Sequence, residues 1–377
     1  VKQLISSETV ATKLNNWYAF IRKNQVSEAQ HIKAQIETEL DHMEEDQNVL
    51  LYYSLLDFRH QLMLSYVKPH LATEINGSLA LIEEKKEVIV NHQLGDIIQY
   101  YFWFFKGMYE FRRNNFPTAI SFYKKAEKKI TMVVDDVEKA EFYYKLSEIY
   151  YHMKQNYYSM HYAHLASNIF SAHKGLEEKK IYCDFIIAGN LKDSLKYDEA
   201  LEKYTQALFA ASKTNNKNLI ASACYNVGIC YFYRHELDKA AKYMEEALDI
   251  FGQETSSYVP KVLYTLMFIK VKQRNNEKAS ILYKQGMRAA HSLNNEEYIA
   301  KLTILNELYL GEGNNEIIEL EFDYLESKNL YEAVEELSIE AAKYYSENRL
   351  FEESVYYFNK NIKARQKIQK GDEVHEG

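Results

Sequence analysis

Proline is nearly missing from this chain. Three prolines in 377 residues (Pro69, Pro117, Pro260) and 12 glycines leave long stretches in which nothing forces a helix to break. Cysteine is as sparse. Cys183, Cys224 and Cys230 are an odd set without metal-ligand spacing, which excludes a disulfide framework and points to reduced thiols in the cytosol. No apolar run approaches the roughly 20 residues of a membrane span. No signal segment precedes Val1, so the expectation is a soluble, cytoplasmic protein. An excess of positive charge is lacking too: 46 Lys and Arg stand against 54 Asp and Glu, a net −8. That balance excludes the basic footprint of a general nucleic-acid binder. There is no glycine-rich phosphate loop and no serine-nucleophile elbow. His42, His60 and His70 are not at metal-ligand spacing, His161 and His164 are three apart without a carboxylate at a matching offset, and all read as surface histidines, so no metal site is expected. The cysteines read as small packing residues. A self-contained active site is not visible.

What the chain has in abundance is tyrosine, 33 of them, suited to helix packing with hydroxyls at the edge or to a groove that holds a peptide. Val10, Leu14, Trp17 and Ile21 recur at helical spacing; Ser27 and Gln30 read as a capping box opening a helix with Ile32, Ile36, Leu40 and Met43 on one face. Leu51, Leu55, Phe58 and Leu62 make a third stripe, so residues 1–67 form a three-helix bundle. The bundle and its edge hold seven basic residues against nine acidic ones, the wrong sign for a helix-turn-helix that reads DNA. Between the second and third helices lies an acidic knot, Met43-Glu44-Glu45-Asp46-Gln47-Asn48. Carboxylates at a helix C-terminus meet its partial negative charge, so either Asp46 N-caps the next helix or the knot faces a partner.

Residues 68–78 combine proline, glycine and polar side chains and read as a hinge. Residues 79–370 read as a second domain in which 79–94 form one more helix, and from about Tyr100 the chain repeats. Ala119, Ser159, Ala200, Ala240, Ala279, Ile318 and Ser354 each open the second helix of a helical hairpin, at intervals of 40, 41, 40, 39, 39 and 36. Aromatic residues follow four later at Tyr123, Tyr204, Tyr283, Phe322 and Phe358, and Gly107, Ser147, Ala188 and Gly228 lie twelve earlier. This small-large-small pattern is that of tetratricopeptide repeats, about seven hairpins coiled into a right-handed superhelix. The fold class is therefore all-α, a bundle hinged to a repeat array, with residues 371–377 a frayed tail. In the repeat register Asp193, Asn226 and Glu307 fall on the inner helices. An Asn amide brackets a peptide backbone, and a carboxylate takes an amine or an N–H. The same residues also suit an ordinary solvated groove.

Five local strings carry a resemblance. Asn15-Asn16-Trp17-Tyr18, Met43-Glu44-Glu45-Asp46-Gln47, Leu51-Tyr52-Tyr53-Ser54-Leu55 with Asp57-Phe58-Arg59-His60, Phe104-Phe105-Lys106-Gly107-Met108-Tyr109-Glu110-Phe111 and Glu138-Lys139-Ala140-Glu141-Phe142 resemble the Rap family of Bacillus, peptide-regulated response regulator aspartate phosphatases. The resemblance spans nearly the whole chain. It implies that the bundle binds a phosphorylated receiver domain of the sporulation phosphorelay and that Gln47 sits at the aspartyl phosphate. Glu45, Asp46, Leu50 and Phe58 are then docking residues. It implies no cofactor of the chain's own, the Mg²⁺ coming with the receiver. It implies a secreted, re-imported Phr pentapeptide in the groove, anchored by Asp193, Asn226 and Glu307, that tightens the array and recruits the bundle through the hinge. No direct nucleic-acid or membrane partner is implied. Three readings stay open: a phosphatase, a protein that seizes the DNA-binding domain of a competence-type response regulator without catalysis, and a plain scaffold.

Overall fold

In a computed structural model, residues 4–67, 72–90, 95–254 and 256–369 are described, and they hold nineteen α-helices. No helix among them is long and apolar enough to cross a membrane. Contacts divide the chain into two compact units, 1–112 with 118–135, and 113–117 with 136–377.

The first unit opens with α1 (Ser7–Arg22), α2 (Val26–Leu40) and α3 (Gln47–Val67). The first stripe is wholly buried, Val10, Leu14, Trp17 and Ile21, and so is Leu51, Leu55, Phe58 and Leu62 on α3. The capping box is not formed. Asn24 takes a left-handed φ of 55°, α2 starts at Val26 behind Gln25, and no side chain caps it, so Ser27 already lies inside the helix. Then follow α4 (Ile75–Glu84), α5 (Lys86–Val90), α6 (Asp96–Arg112) and most of α7 (Phe116–Glu127). The expected hinge falls partly on residues 68–71, outside those described, and its end, 75–78, is already helical in α4. The division by contact comes after α6, not at 68–78, because α3 packs on both α4 and α6. Aromatic rings seal that packing: Tyr18 and Tyr52 meet Tyr101 at 5.4 and 5.6 Å.

The second unit stacks six hairpins: α8 (Asp136–His152) with α9 (Asn156–Ala172), α10 (Glu177–Asp193) with α11 (Tyr197–Ala211), α12 (Lys217–Tyr233) with α13 (Leu237–Gln253), α14 (Val259–Lys272) with α15 (Asn276–Ser292), α16 (Glu296–Tyr309) with α17 (Asn315–Ser327), and α18 (Tyr331–Glu347) with α19 (Phe351–Gln369). In the first unit α6 and α7 form a helical pair of the same kind. Every small residue of the repeat is buried. The close approach is literal: a Cβ on Gly228 would lie 2.9 Å from the Met244 side chain, and one on Gly107 would collide with the Tyr123 ring. Ser159 and Ser354 donate their hydroxyls to Ser147 O and Ala342 O, each 2.9 Å away and twelve residues back.

A second periodicity marks the turns. Asn114, Lys154, Leu195, His235, Arg274, Gly313 and Arg349 all have φ between 57° and 71°, and each precedes its hairpin's small residue by five. A left-handed residue ends the first helix of each pair and turns the chain back. Because most are not glycine, composition hid the signal.

Candidate functional site

Two places gather the residues singled out from sequence. The first is the start of α3. Ile5 N donates to His42 O and Glu44 N donates to Ile5 O, both 2.9 Å, pinning the loop against α1. Met43 is buried by that clasp. Asp46 settles one of its two readings: its Oδ1 accepts from Asn48 N at 2.9 Å and Val49 N at 3.2 Å, the bonds of an N-cap. Gln47 is therefore the first residue of α3. It is exposed, and its amide makes no hydrogen bond among the described residues. Glu44 and Glu45 are exposed beside it, and Leu50 is half-buried one turn on. The helix N-terminus adds partial positive charge at that spot, which favours an incoming anion.

Phe58 is not part of this surface. It is fully buried with its ring 5.7 Å from that of Tyr109, so in this arrangement it supports α3 and offers nothing to a partner. His60 is a further correction. It is buried edge-on against Trp17 at 5.5 Å, not on the surface, and burial, helped by Lys33, lowers its pKa to about 4. It is neutral at pH 7. His70 lies outside the described residues.

The second place is the layer of inner helices in the repeat unit. Asp193 is half-buried at the end of α10, with Lys192 Nζ 2.8 Å from Oδ1 and Lys154 Nζ 3.5 Å from Oδ2. Burial acts to lower the pKa of Lys154, but Asp193 and Glu332 outweigh it and hold it raised. The carboxylate thus stands already paired with two ammonium groups. Asn226 is half-buried on α12, two turns before Tyr233 on one helix face, and its amide makes no hydrogen bond among the described residues. Glu307 lies near the end of the inner helix α16, as the repeat register has it. Its Oε2 accepts from Asn314 N at 3.3 Å, and it packs on Gly311, so it braces the turn between α16 and α17.

Three further carboxylates of the layer come from α18, and sequence reasoning passed over them. Glu332, Glu336 and Glu340 lie four apart, on one face. Glu332 meets His152 Nδ1 of α8 at 3.0 Å; Glu336 accepts from Tyr264 Oη at 3.0 Å and Lys301 Nζ at 2.8 Å; Glu340 accepts from Lys272 Nζ at 2.5 Å and Tyr309 Oη at 3.1 Å. One helix thereby ties the unit's first inner helix to its last. The four-residue spacing was visible; the partners were not.

The His152–Glu332 pair makes this clasp sensitive to pH. Burial works against charge on both groups. It is outweighed by their mutual attraction and hydrogen bond, which raise His152 and hold Glu332 down at about 2. Glu148 helps the imidazolium, while Lys154 opposes it and favours the carboxylate; Phe116 stacks on the ring. A raised histidine stabilises below its unfolded value, roughly 6.5, and loses that as pH rises through the folded value; a depressed glutamate stabilises above roughly 4.3 and loses that as pH falls towards the folded value. The full contribution therefore lies between these limits. Both side chains keep about a third of their surface exposed, 34 % and 38 %, so it is discounted to about 0.5–1 kcal/mol. Denaturant midpoints at pH 6 and pH 8.5 measure it. Wild type loses more stability over that rise than His152→Ala does, and equal slopes would rule the pair out.

Comparison with known proteins decides the family. Residues 4–65 match the family model described as response regulator aspartate phosphatase H, N terminal, and residues 221–253 match a tetratricopeptide repeat. Response regulator aspartate phosphatase I of Bacillus subtilis (strain 168) is 42 % identical over 375 residues, covering 100 % of this chain and 95 % of the relative. The chain belongs to the Rap family. Regulatory protein RapC of the same strain is 39 % identical over 378 residues, covering 99 % and 98 %. This Rap chain also superposes on the crystal structure of a Rap protein complexed with competence and sporulation factor, with a TM-score of 0.88, 35 % identity, and 97 % and 99 % of the two chains covered. The matched N-terminal segment contains Gln47, and most of α12, Asn226 included, falls in the matched repeat of this Rap chain.

Proposed function

We propose that this Rap chain dephosphorylates the aspartyl phosphate of a response-regulator receiver domain of the sporulation phosphorelay, with Gln47 as the residue that positions the attacking water. The observation that carries the reading is an exposed, uncommitted amide at the N-terminus of α3 within the matched N-terminal segment. An amide is no general base at neutral pH, but it accepts from and donates to a water and holds it in line, the role Gln plays in GTP hydrolysis. The water oxygen bonds to phosphorus, the bond to the aspartyl oxygen breaks, and the products are carboxylate and inorganic phosphate. The receiver brings its own phospho-aspartate and Mg²⁺. Glu45 and Leu50 give docking contact, and Asp46 holds the helix start.

A Phr pentapeptide in the inner layer of the repeat unit turns this activity off, its backbone bracketed by Asn226 and its polar groups met by Asp193 with Lys154 and Lys192. Glu307 acts through the turn it braces. The likeness to a Rap protein that binds competence and sporulation factor supports this. Linkage needs only that the peptide favour the arrangement that withholds Gln47 by a few kcal/mol. Both partners act in the cytoplasm.

The test is the lifetime of phosphate on purified phosphorylated receivers. Wild type shortens it for a cognate receiver, and a lifetime unchanged across the phosphorelay's receivers sinks the catalytic reading. A pentapeptide that restores the lifetime then requires roughly 30-fold more to act on Asn226→Ala, because peptide polar groups lose their partner. An unshifted dose curve refutes that anchor. The nearly full-length likeness to RapC, a regulatory protein by name, favours a second reading. In it the chain seizes the DNA-binding domain of a competence-type regulator, and a gel shift that the chain leaves unaltered rules this out.

A further inference from the structure

Among the described residues no helix covers the outer side of α19. α19 buries Ser354, Tyr357, Ala364 and Ile368 against the preceding helices. A second apolar face of the same helix stays open: Phe351, Val355, Phe358 and Ile362 are between 41 % and 63 % exposed. Their spacing of four, three and four residues sets them in one stripe along three turns. In a stacked-hairpin protein an internal helix buries apolar surface on both sides, whereas the terminal one presents a polar outer face. By that rule α19 has the face of an internal helix, and no further hairpin follows among the described residues.

Charge says what fits there. α19 is acidic at its start (Glu352, Glu353) and basic over its second half (Lys360, Lys363, Arg365, Lys367). Lys360 pairs with Glu326 and Arg365 with Glu335, both within the array. Glu352 and Lys363 are exposed, eleven residues apart on the same flank of the stripe, and have no ion pair among the described residues. Residues 370–377 contain a single apolar side chain, Val374, too little to cover four.

We propose that α19 docks against α19 of a second copy of this chain, antiparallel about a two-fold axis. The stripe reads alike in both directions. Reversal sets Phe351 against the partner's Ile362 and Val355 against the partner's Phe358, and the two-fold axis repeats both contacts. It also sets Glu352 beside the partner's Lys363, twice. A parallel pairing puts the two charged flanks on opposite sides of the seam and forms neither bridge. Each copy thus serves as the missing cap of the other.

Sedimentation of the full chain tests this. Wild type is a dimer at tens of micromolar, and Phe358→Glu, on an exposed site, weakens it by at least roughly 100-fold. Glu352→Lys and Lys363→Glu each weaken it by about tenfold, since each sets like charges together. An equimolar mixture of those two variants regains dimer, because every cross pair is then opposite in sign. A misfolded variant cannot produce that rescue. A wild type that stays monomeric at ~100 µM, far above the Kd of specific dimers, overturns the proposal. So do a dimer indifferent to Phe358→Glu and a mixture no tighter than its components. A monomer that dimerises only when cut back to Gln369 shows the tail as the occupant and overturns it as well.

Discussion

Gln47→Ala leaves a phosphorylated receiver with nearly the lifetime it has alone, a loss of about 100-fold in the assisted rate, or roughly 3 kcal/mol of transition-state stabilisation. The size follows from what the amide is asked to do. Holding one water in line replaces a search among many bulk orientations, and a single preorganised polar group is worth two to three powers of ten when removed. The change touches nothing else: Gln47 is exposed and unbonded, and Asp46 keeps its bonds to Asn48 and Val49. Stability therefore stays within about 0.5 kcal/mol of wild type. Binding and rate separate the roles. The variant still binds the phosphorylated receiver, while Gln47→Glu, of the same shape, also fails because a carboxylate repels the phosphoryl oxygens. If Gln47→Ala keeps more than a third of the assisted rate, the water is positioned by another group and this reading of the α3 terminus is wrong. Wherever in the first unit a receiver docks, the exposed terminus between Glu45 and Leu50 is the surface the assay probes.

What could be read from sequence was what neighbouring residues decide. The repeat was legible because a helix that must approach another within van der Waals contact needs Ala, Ser or Gly at one recurring position, and Ala200 and Ala240 show it plainly. Asp46 as a cap was legible because capping joins residues two or three apart. Ser27 misled for the complementary reason: the motif was present, but the left-handed turn at Asn24 started the helix before it. His60 was misplaced because helical spacing gives a face without saying what covers it, whereas Phe58 sits in the stripe that spacing marked as core and only the resemblance had set it at the docking surface. His60 meets Trp17 from α1 and Phe58 meets Tyr109 from α6. The clasp of α18 was out of reach altogether. His152 and Glu332 are 180 residues apart, and they meet only because a small rotation accumulates through every hairpin between them.

That clasp carries the second large effect, and Glu336 is its centre. Lys301 keeps only 9 % of its side-chain surface exposed. Burial by itself would lower its pKa, yet Glu336 and Glu297 hold it raised, so the ammonium stays charged inside the inner layer. Glu336→Ala removes both the carboxylate at 2.8 Å and the acceptor of Tyr264 Oη, leaving a buried cation and a hydroxyl without their partner. Breaking one half of a buried pair costs about 3–5 kcal/mol, and Glu336 is itself 36 % exposed, which brings the expectation to roughly 2–3 kcal/mol. A fall in the denaturant midpoint of the repeat unit measures it. Lys301→Met in the same background recovers most of the loss, because the stranded charge is the larger part of the penalty and the methionine fills the space against Tyr264 and Tyr298. Without that recovery, or with a cost below about 0.5 kcal/mol, Glu336 is a surface carboxylate and the ladder does not hold the unit's ends together. With it, α18 is a strut on the inner layer itself, so a ligand entering beside Asp193 and Asn226 meets a layer whose first and last helices are already joined.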